Sequence, residues 1–338
     1  MTCPSCGAEA SDTDAFCEAC GHDLGRVPMA VTDPVARPAC ELCGADVEDG
    51  FCVVCGAKAR TERDHWTESP SDWVGGVCDR GVEHARNEDA MALSSSSDGT
   101  FAVLVVCDGV TTAPDSDRAS LAAAREAGRV LSDAPRPSGS TAGRVHAWQG
   151  VLERACREAN AETLAIARTL GDPPEPPSCT FVAAVRDHDL VVVAWCGDSR
   201  AYWLADHRGS SSQLTTDHSL GTEMIRAGRS REEAEADPAC HTITRWLGAD
   251  SVDATPEVRS VSLDGPGWLV VMSDGMWNEA STIEQLHDLL DRAAADGAST
   301  PTSLAESLAG YANECGGHDN ITVALARCEA APGGAALP

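Results

Sequence analysis

The chain has 338 residues, 43% of them hydrophobic, and carries a formal charge of −28 from 53 acids and 25 bases. It is long enough for two or three domains and apolar enough for a sizeable core, which excludes wholesale disorder. So acidic a surface repels phosphate backbones and anionic membranes, and neither nucleic acid nor a membrane is expected as a partner.

The chain opens Met1-Thr2-Cys3-Pro4-Ser5-Cys6, with no basic n-region or apolar h-region. Its longest apolar runs, near Phe101–Cys107 and Leu190–Cys196, fall far below the ~20 residues of a membrane span. A cytoplasmic protein with reduced thiols is the expectation. Eight of its 16 cysteines form four Cys-x-x-Cys pairs: Cys3/Cys6, Cys17/Cys20, Cys40/Cys43 and Cys52/Cys55. Each pair is followed by glycine, and the arrangement repeats, Phe16-Cys17-Glu18-Ala19-Cys20-Gly21 echoing Phe51-Cys52-Val53-Val54-Cys55-Gly56. Two such turns deliver four thiolates to one tetrahedral zinc at ~2.3 Å, so two closed, structural Zn²⁺ sites are expected. Redox dithiols or disulfides would need a thioredoxin-like pattern or a secretory context, and neither is visible. The segments resemble tandem zinc ribbons, at 1–25 and 39–58. A proline-bearing linker (26–38) separates them, and a polar linker (59–71) follows. The other eight cysteines, among them Cys107, Cys196 and Cys315, lie apart, mostly in apolar runs, and read as buried small hydrophobes.

A folded domain is expected over 72–328, ahead of a disordered Ala/Gly/Pro-rich tail, 329–338. Valine-rich strands are predicted at Val74–Cys78, Phe101–Cys107, Thr180–Val185, Leu190–Cys196, Ala201–Leu204, Glu257–Ser262, Trp268–Met272 and Ile321–Ala326. Helices are predicted at Asp117–Leu131, Val145–Leu170, Thr222–Ala227, Ile283–Ala294 and Thr302–Glu314. Ser94–Ser97 and Ser210–Ser212 read as hairpin turns. The order is no regular βαβ alternation, and it favours an α+β fold of antiparallel sheets with helices outside.

Acids recur at strand ends. Asp108-Gly109 follows one apolar run, Asp198-Ser199-Arg200 another and Asp274-Gly275 a third, while Asp319-Asn320 and Asn87-Glu88-Asp89 precede others. A single Asp-Gly is usually a turn. Five acids abutting buried strands need a common compensation, and too few bases lie beside them. Oxygen ligands select Mg²⁺ or Mn²⁺, and two such ions ~3.5–4 Å apart suit hydrolysis at phosphorus.

This constellation resembles the bacterial form of the metal-dependent, PPM-type (type 2C) Ser/Thr protein phosphatases. The matching stretches run in order: Arg86-Asn87-Glu88-Asp89, Val106-Cys107-Asp108-Gly109, Cys196 to Tyr202, Leu214 to Ser219, Thr244 to Gly248, Ser273 to Trp277 and Gly317 to Thr322. The resemblance implies an α-β-β-α sandwich of two antiparallel sheets flanked by helices. It implies Asp108 bridging two Mn²⁺ or Mg²⁺ ions with the Gly109 carbonyl on one, Asp274 and Asp319 on the other, and Glu88 and Asp89 acting through waters. It implies that Asp108, Asp274 and Asp319 carry the catalysis, by in-line attack of a water bound to both metals. Asp198 would serve a third, weaker ion, and Leu214–Ala236 a flap over the site. The family's phosphate-gripping arginine falls at His84. Arg86, two residues on, would share its strand face, so either is a candidate phosphate ligand. The family's usual glycine pair after Asp-Gly is absent, and Val110 stands where eukaryotic relatives place a general-acid histidine.

The expected substrates are Ser/Thr-phosphorylated proteins opposing a cognate kinase, and a monomer is expected. A pseudophosphatase scaffold, its ribbons binding protein, is the alternative. Residues 1–60 hold ten acids and four bases, which argues for protein rather than nucleic-acid contact by the ribbons. His218 and His318 read as supporting rather than catalytic.

Overall fold

The structure is a computed structural model and describes residues 2, 6–9, 19–20, 43–45, 47–48, 51–56, 61–110, 113–171 and 173–329. The expected linker 26–38 and the tail from 330 onward lie outside the described residues, as do Cys3, Cys17 and Cys40.

Valine-rich segments become strands because β-branched side chains suit a pleated, buried surface. They are β1 (His65–Ser71), β2 (Val74–Asp79), β3 (Ala90–Ser95), β4 (Phe101–Cys107), β5 (Phe181–Asp187), β6 (Leu190–Cys196), β7 (Arg200–Ala205), β8 (Glu257–Ser262), β9 (Gly267–Met272) and β10 (Ile321–Cys328). One antiparallel sheet runs β7-β9-β10-β2-β1, with Ser212–Gln213 added beyond β7; the other runs β8-β6-β5-β4-β3. The helices are α1 (Ser116–Ser132), α2 (Thr141–Thr169), α3 (Leu220–Arg226), α4 (Arg231–Glu235), α5 (Asp274–Trp277), α6 (Ile283–Ala295) and α7 (Pro301–Glu314). Hydroxyl caps fix several starts: Ser140, Thr282 and Thr300 accept backbone N–H bonds at the heads of α2, α6 and α7.

Strand alternation builds the four layers. Along β4, Val103, Val105 and Cys107 join a core with Leu131 of α1 and Trp148 and Leu152 of α2. Ala102, Leu104 and Val106 meet Leu269, Val271 and Ala324 of the facing sheet. The outer face of that sheet, with Val270 and Leu325, packs on Leu286 of α6 and Leu308 of α7. The α-β-β-α sandwich is therefore as expected.

Three expectations are corrected. The linker 59–71 is not a linker over its second half: Glu62–Asp64 forms a 3₁₀ turn and His65–Ser71 is an edge strand paired with β2. Its sequence, HWTESPS, is polar and holds a proline, as edge strands tolerate and central strands do not. Ser94 and Ser95 complete β3 rather than turning. Cys315 is exposed beyond α7, whereas Cys78, Cys107, Cys156, Cys179, Cys196, Cys240 and Cys328 are buried.

Candidate active site

The strand-end acids converge where both sheets meet. Asp108 follows β4, Asp198 follows β6, Asp274 heads α5 directly after β9, and Asp89 and Asp319 precede β3 and β10. Close backbone approaches make this convergence possible. The Gly109 N–H donates to the Glu88 carbonyl at 3.1 Å, and a Cβ at Gly109 would stand 2.6 Å from that oxygen. A Cβ at Gly275 would stand 2.1 Å from the Asn320 carbonyl. Both distances are prohibitive, so only glycine lets Asp108 and Asp274 sit this close to their neighbours.

Asp89 is fully buried. Its Oδ2 accepts from Ser273 Oγ at 2.6 Å and Thr322 Oγ1 at 2.7 Å, both from the opposite sheet. Its backbone is held too: Arg63, in the turn before β1, donates to the Asp89 carbonyl at 2.9 Å and to the Asp117 carbonyl at 2.8 Å. Asn320 stitches the preceding loop. Its Oδ1 accepts the Glu88 N–H at 2.7 Å, and its Nδ2 donates to the Arg80 and Arg86 carbonyls. Sequence reasoning missed Arg63, Ser273, Thr322 and Asn320 as supports. For the last three, a polar residue beside a candidate ligand in an otherwise apolar run was the available signal.

The electrostatics show an uncompensated cluster. Burial pushes the Asp89 carboxyl up to about 7, against its two hydroxyl donors and reinforced by Asp319 and Asp274. Burial, then Asp319, raises Asp274 to about 6, although a hydrogen bond to Asp108 lowers it. Asp108 is driven well above the carboxylate range by burial and then by Asp89, Asp274, Asp319 and Asp198. Asp198 rises likewise, by burial and then Asp274 and Asp217. Asp89 Oδ1 and Asp274 Oδ1 are buried without any hydrogen-bond partner. Orphaned carboxylate oxygens among mutually repelling acids are what hard divalent cations satisfy, and the all-oxygen donor set fits Mg²⁺ or Mn²⁺. The Glu88 carboxylate is paired with Arg86 at 3.0 Å.

His84 and Arg86 reach this site by a different route from the one expected. Residues 80–89 form a bent loop rather than a strand, so no shared strand face aligns the two. Instead His84 Nε2 lies 3.4 Å from Asp319 Oδ1, and Arg86 is drawn to Glu88. His218 is buried: its Nδ1 accepts the Gly197 N–H at 3.1 Å and its Nε2 lies 3.2 Å from Glu257. His318 is exposed and paired with Glu83. The segment expected to form a flap, Leu214–Ala236, carries α3 and α4, and a cavity of about 620 Å³ lies between it and Trp277.

At the other end of the chain, Cys43, Cys52 and Cys55 bring their sulfurs within 4.8 Å of one another, the only such trio among the described residues. The Cys55 and Val54 N–H groups donate to Cys52 Sγ at 3.4 Å and lower its thiol to about 6. Three cysteine sulfurs at this spacing fit zinc. Their fourth expected partner, Cys40, lies outside the described residues, as do Cys3 and Cys17 of the first ribbon. Cys6 and Cys20 are exposed.

Comparison with known proteins gives two family matches: Protein phosphatase 2C over residues 80–310 and Double zinc ribbon over residues 3–56. The chain is 32% identical over 252 residues to the serine/threonine phosphatase stp of Listeria monocytogenes, covering 73% of this chain and 92% of that one. A solved Mycobacterium tuberculosis serine/threonine phosphatase, PstP/Ppp, superposes with a TM-score of 0.59 at 25% identity, covering 76% and 98% of the two chains. The PstP catalytic domain solved with two manganese ions superposes at 0.56 with 24% identity, over 75% of this chain and 96% of that one. No helix of the described residues is long and apolar enough to cross a membrane.

Proposed function

The chain belongs to the protein phosphatase 2C family, and we propose that it hydrolyses phosphoserine and phosphothreonine in proteins with divalent metal ions at its strand-end acids. The observation that carries this reading is the buried acid cluster with two orphaned oxygens and raised carboxyls. Asp108, Asp274 and Asp319 would hold two Mn²⁺ or Mg²⁺ ions with Asp89, Glu88 and the Gly109 carbonyl, and Asp198 a third. When bound, such ions supply a nucleophile at neutral pH and neutralise charge on the phosphoryl oxygens. The rest falls to the chain. Ser273 and Thr322 fix the Asp89 carboxylate, and Asn320 fixes the loop carrying Glu88. His84, beside Asp319, and the Arg86 guanidinium, beside Glu88, orient the substrate phosphate. Val110 offers no proton to the leaving alkoxide.

The ribbons would hold two structural Zn²⁺ ions and bind or regulate through protein contacts. Phosphoproteins and a cognate Ser/Thr kinase are the partners of this reading, and the chain acts as a monomer. A reducing cytoplasmic location belongs to this reading.

The test is hydrolysis of p-nitrophenyl phosphate by the purified full chain with manganese. Turnover is expected to vanish with a chelator, return with Mn²⁺ and be abolished in Asp274→Asn. No turnover on this ester or on several phosphopeptides after metal loading would leave the pseudophosphatase scaffold as the better account.

A further inference from the structure

The cavity beneath the flap has a chemistry that the metal centre does not use. Trp277 and Asn278 wall it and tie it to the candidate centre. Trp277 Nε1–H donates to the Asp198 carbonyl at 3.0 Å, and Asn278 Nδ2 donates to Asp274 Oδ2 at 3.4 Å. A polypeptide whose phosphorylated residue sits among the acids therefore has this cavity as the space for its flanking residues.

Two arginines reach the cavity. Arg200 is neutralised: its guanidinium forks onto Asp217, with bonds of 2.7–3.2 Å, and lies over the Trp277 ring at 3.6 Å. Arg259 is different. It projects from β8, exposed, and its one bond among the described residues is Nη1–H to the Gln213 carbonyl at 3.3 Å. No carboxylate of the described residues pairs with it. In a chain with 53 acids, most arginines of the described residues find one: Arg144, Arg208, Arg245 and Arg327 are all ion-paired. Arg259 is a cation with open donors in a cavity that adjoins the reaction centre.

We propose that Arg259 selects substrates, pairing with an acidic side chain near the phosphorylated residue, so that acidic phosphopeptides are the preferred class. The inference rests on the phosphatase reading and names the substrate for it. A solvent-exposed charge pair of this kind is worth a rate factor of up to about fivefold and weakens with salt.

The experiment uses the full manganese-loaded chain. Phosphothreonine peptides with an alanine background carry a single aspartate at each position from four residues before the phosphothreonine to four after. p-Nitrophenyl phosphate, which has no flanks, is the control. One aspartate position is expected to raise kcat/KM about three- to fivefold and to lose that advantage in high salt. Arg259→Ala removes the preference, Arg259→Lys restores part of it, and Arg259→Glu transfers it to a lysine at the same position. All variants turn over p-nitrophenyl phosphate at the parent rate. The proposal is overturned if no aspartate position is preferred, or if the preference survives Arg259→Ala. A parent protein inert on p-nitrophenyl phosphate overturns the phosphatase reading itself, and this inference with it.

Discussion

The two candidate metal-binding regions are built in opposite ways. Cys43 and Cys55 are 12 residues apart, and a two-residue hairpin strand, Phe51–Cys52, brings Cys52 between them. Little beyond a local turn is needed, and the soft donors supply their own selectivity. Asp89 and Thr322 stand 233 residues apart, and their hydrogen bond exists only once both sheets have formed and packed. A local site stabilises a small fold through its ion. A distributed site borrows rigidity from a large core and can hold several acids in mutual repulsion.

This contrast can be broken at several points. The largest effect is expected from Asp108→Asn, which removes the acid that feels all four neighbours. Turnover of p-nitrophenyl phosphate should fall by at least about 10²–10³-fold, the scale of losing a central electrostatic element, and manganese binding measured by calorimetry should weaken with it. Next comes the N-terminal boundary. A chain beginning at residue 61 keeps Arg63 and β1, and should melt close to the parent catalytic domain. A chain beginning at residue 72 lacks both and should lose about 3 kcal/mol or more, because the Asp89 and Asp117 carbonyls lose their donor and β2 its neighbour. Equal melting temperatures would show that the distributed site does not depend on the junction.

A smaller effect sharpens the energetic side. Glu68 on β1 is buried, accepts the Leu93 N–H at 2.7 Å, and leaves Oε1 unpartnered. Burial raises its carboxyl to about 8 from an ordinary 4.5, against the pull of Leu93 and Arg125. Its stabilising contribution is therefore fully present below about 4.5 and lost as pH rises through about 8. Glu68→Gln should match the parent near pH 4.5 and exceed it by about 1–3 kcal/mol at pH 8 in urea unfolding. A constant difference across that range would contradict the burial account. The smallest effect on catalysis is expected from Cys52→Ser. One equivalent of zinc should be lost by elemental analysis, while p-nitrophenyl phosphate turnover stays within about twofold, as expected of a closed structural site with no open coordination position.

The same contrast explains what could be read from the residues. The cysteine pairs are legible because the whole site is written in adjacent letters. Asp108 and Asp274 are legible because a buried valine run that ends in Asp-Gly is conspicuous. The sandwich follows from runs such as Phe101–Cys107, whose two faces are both buried. Strand β1 escapes because half-exposed polar residues on a sheet edge carry no apolar signal. Arg63 escapes because its role depends on two carbonyls, and backbone groups leave no mark in a sequence. Strand alternation does not carry His84 and Arg86 to the site, because residues 80–89 bend before β3 begins.

The position of β10 also has a consequence for when activity can arise. This strand sits between β9 and β2, so the sheet stays split until Ile321–Cys328 inserts. Asp319 and Asn320 enter with it, and Thr322 brings the hydroxyl that fixes Asp89. During synthesis from the N-terminus, the ribbons and the whole β3–β6 sheet side can form while β10 is still inside the ribosome. The emerging chain would therefore be inert toward phosphoproteins around it. Catalytic competence would arrive in one late step, with the closing of the sheet.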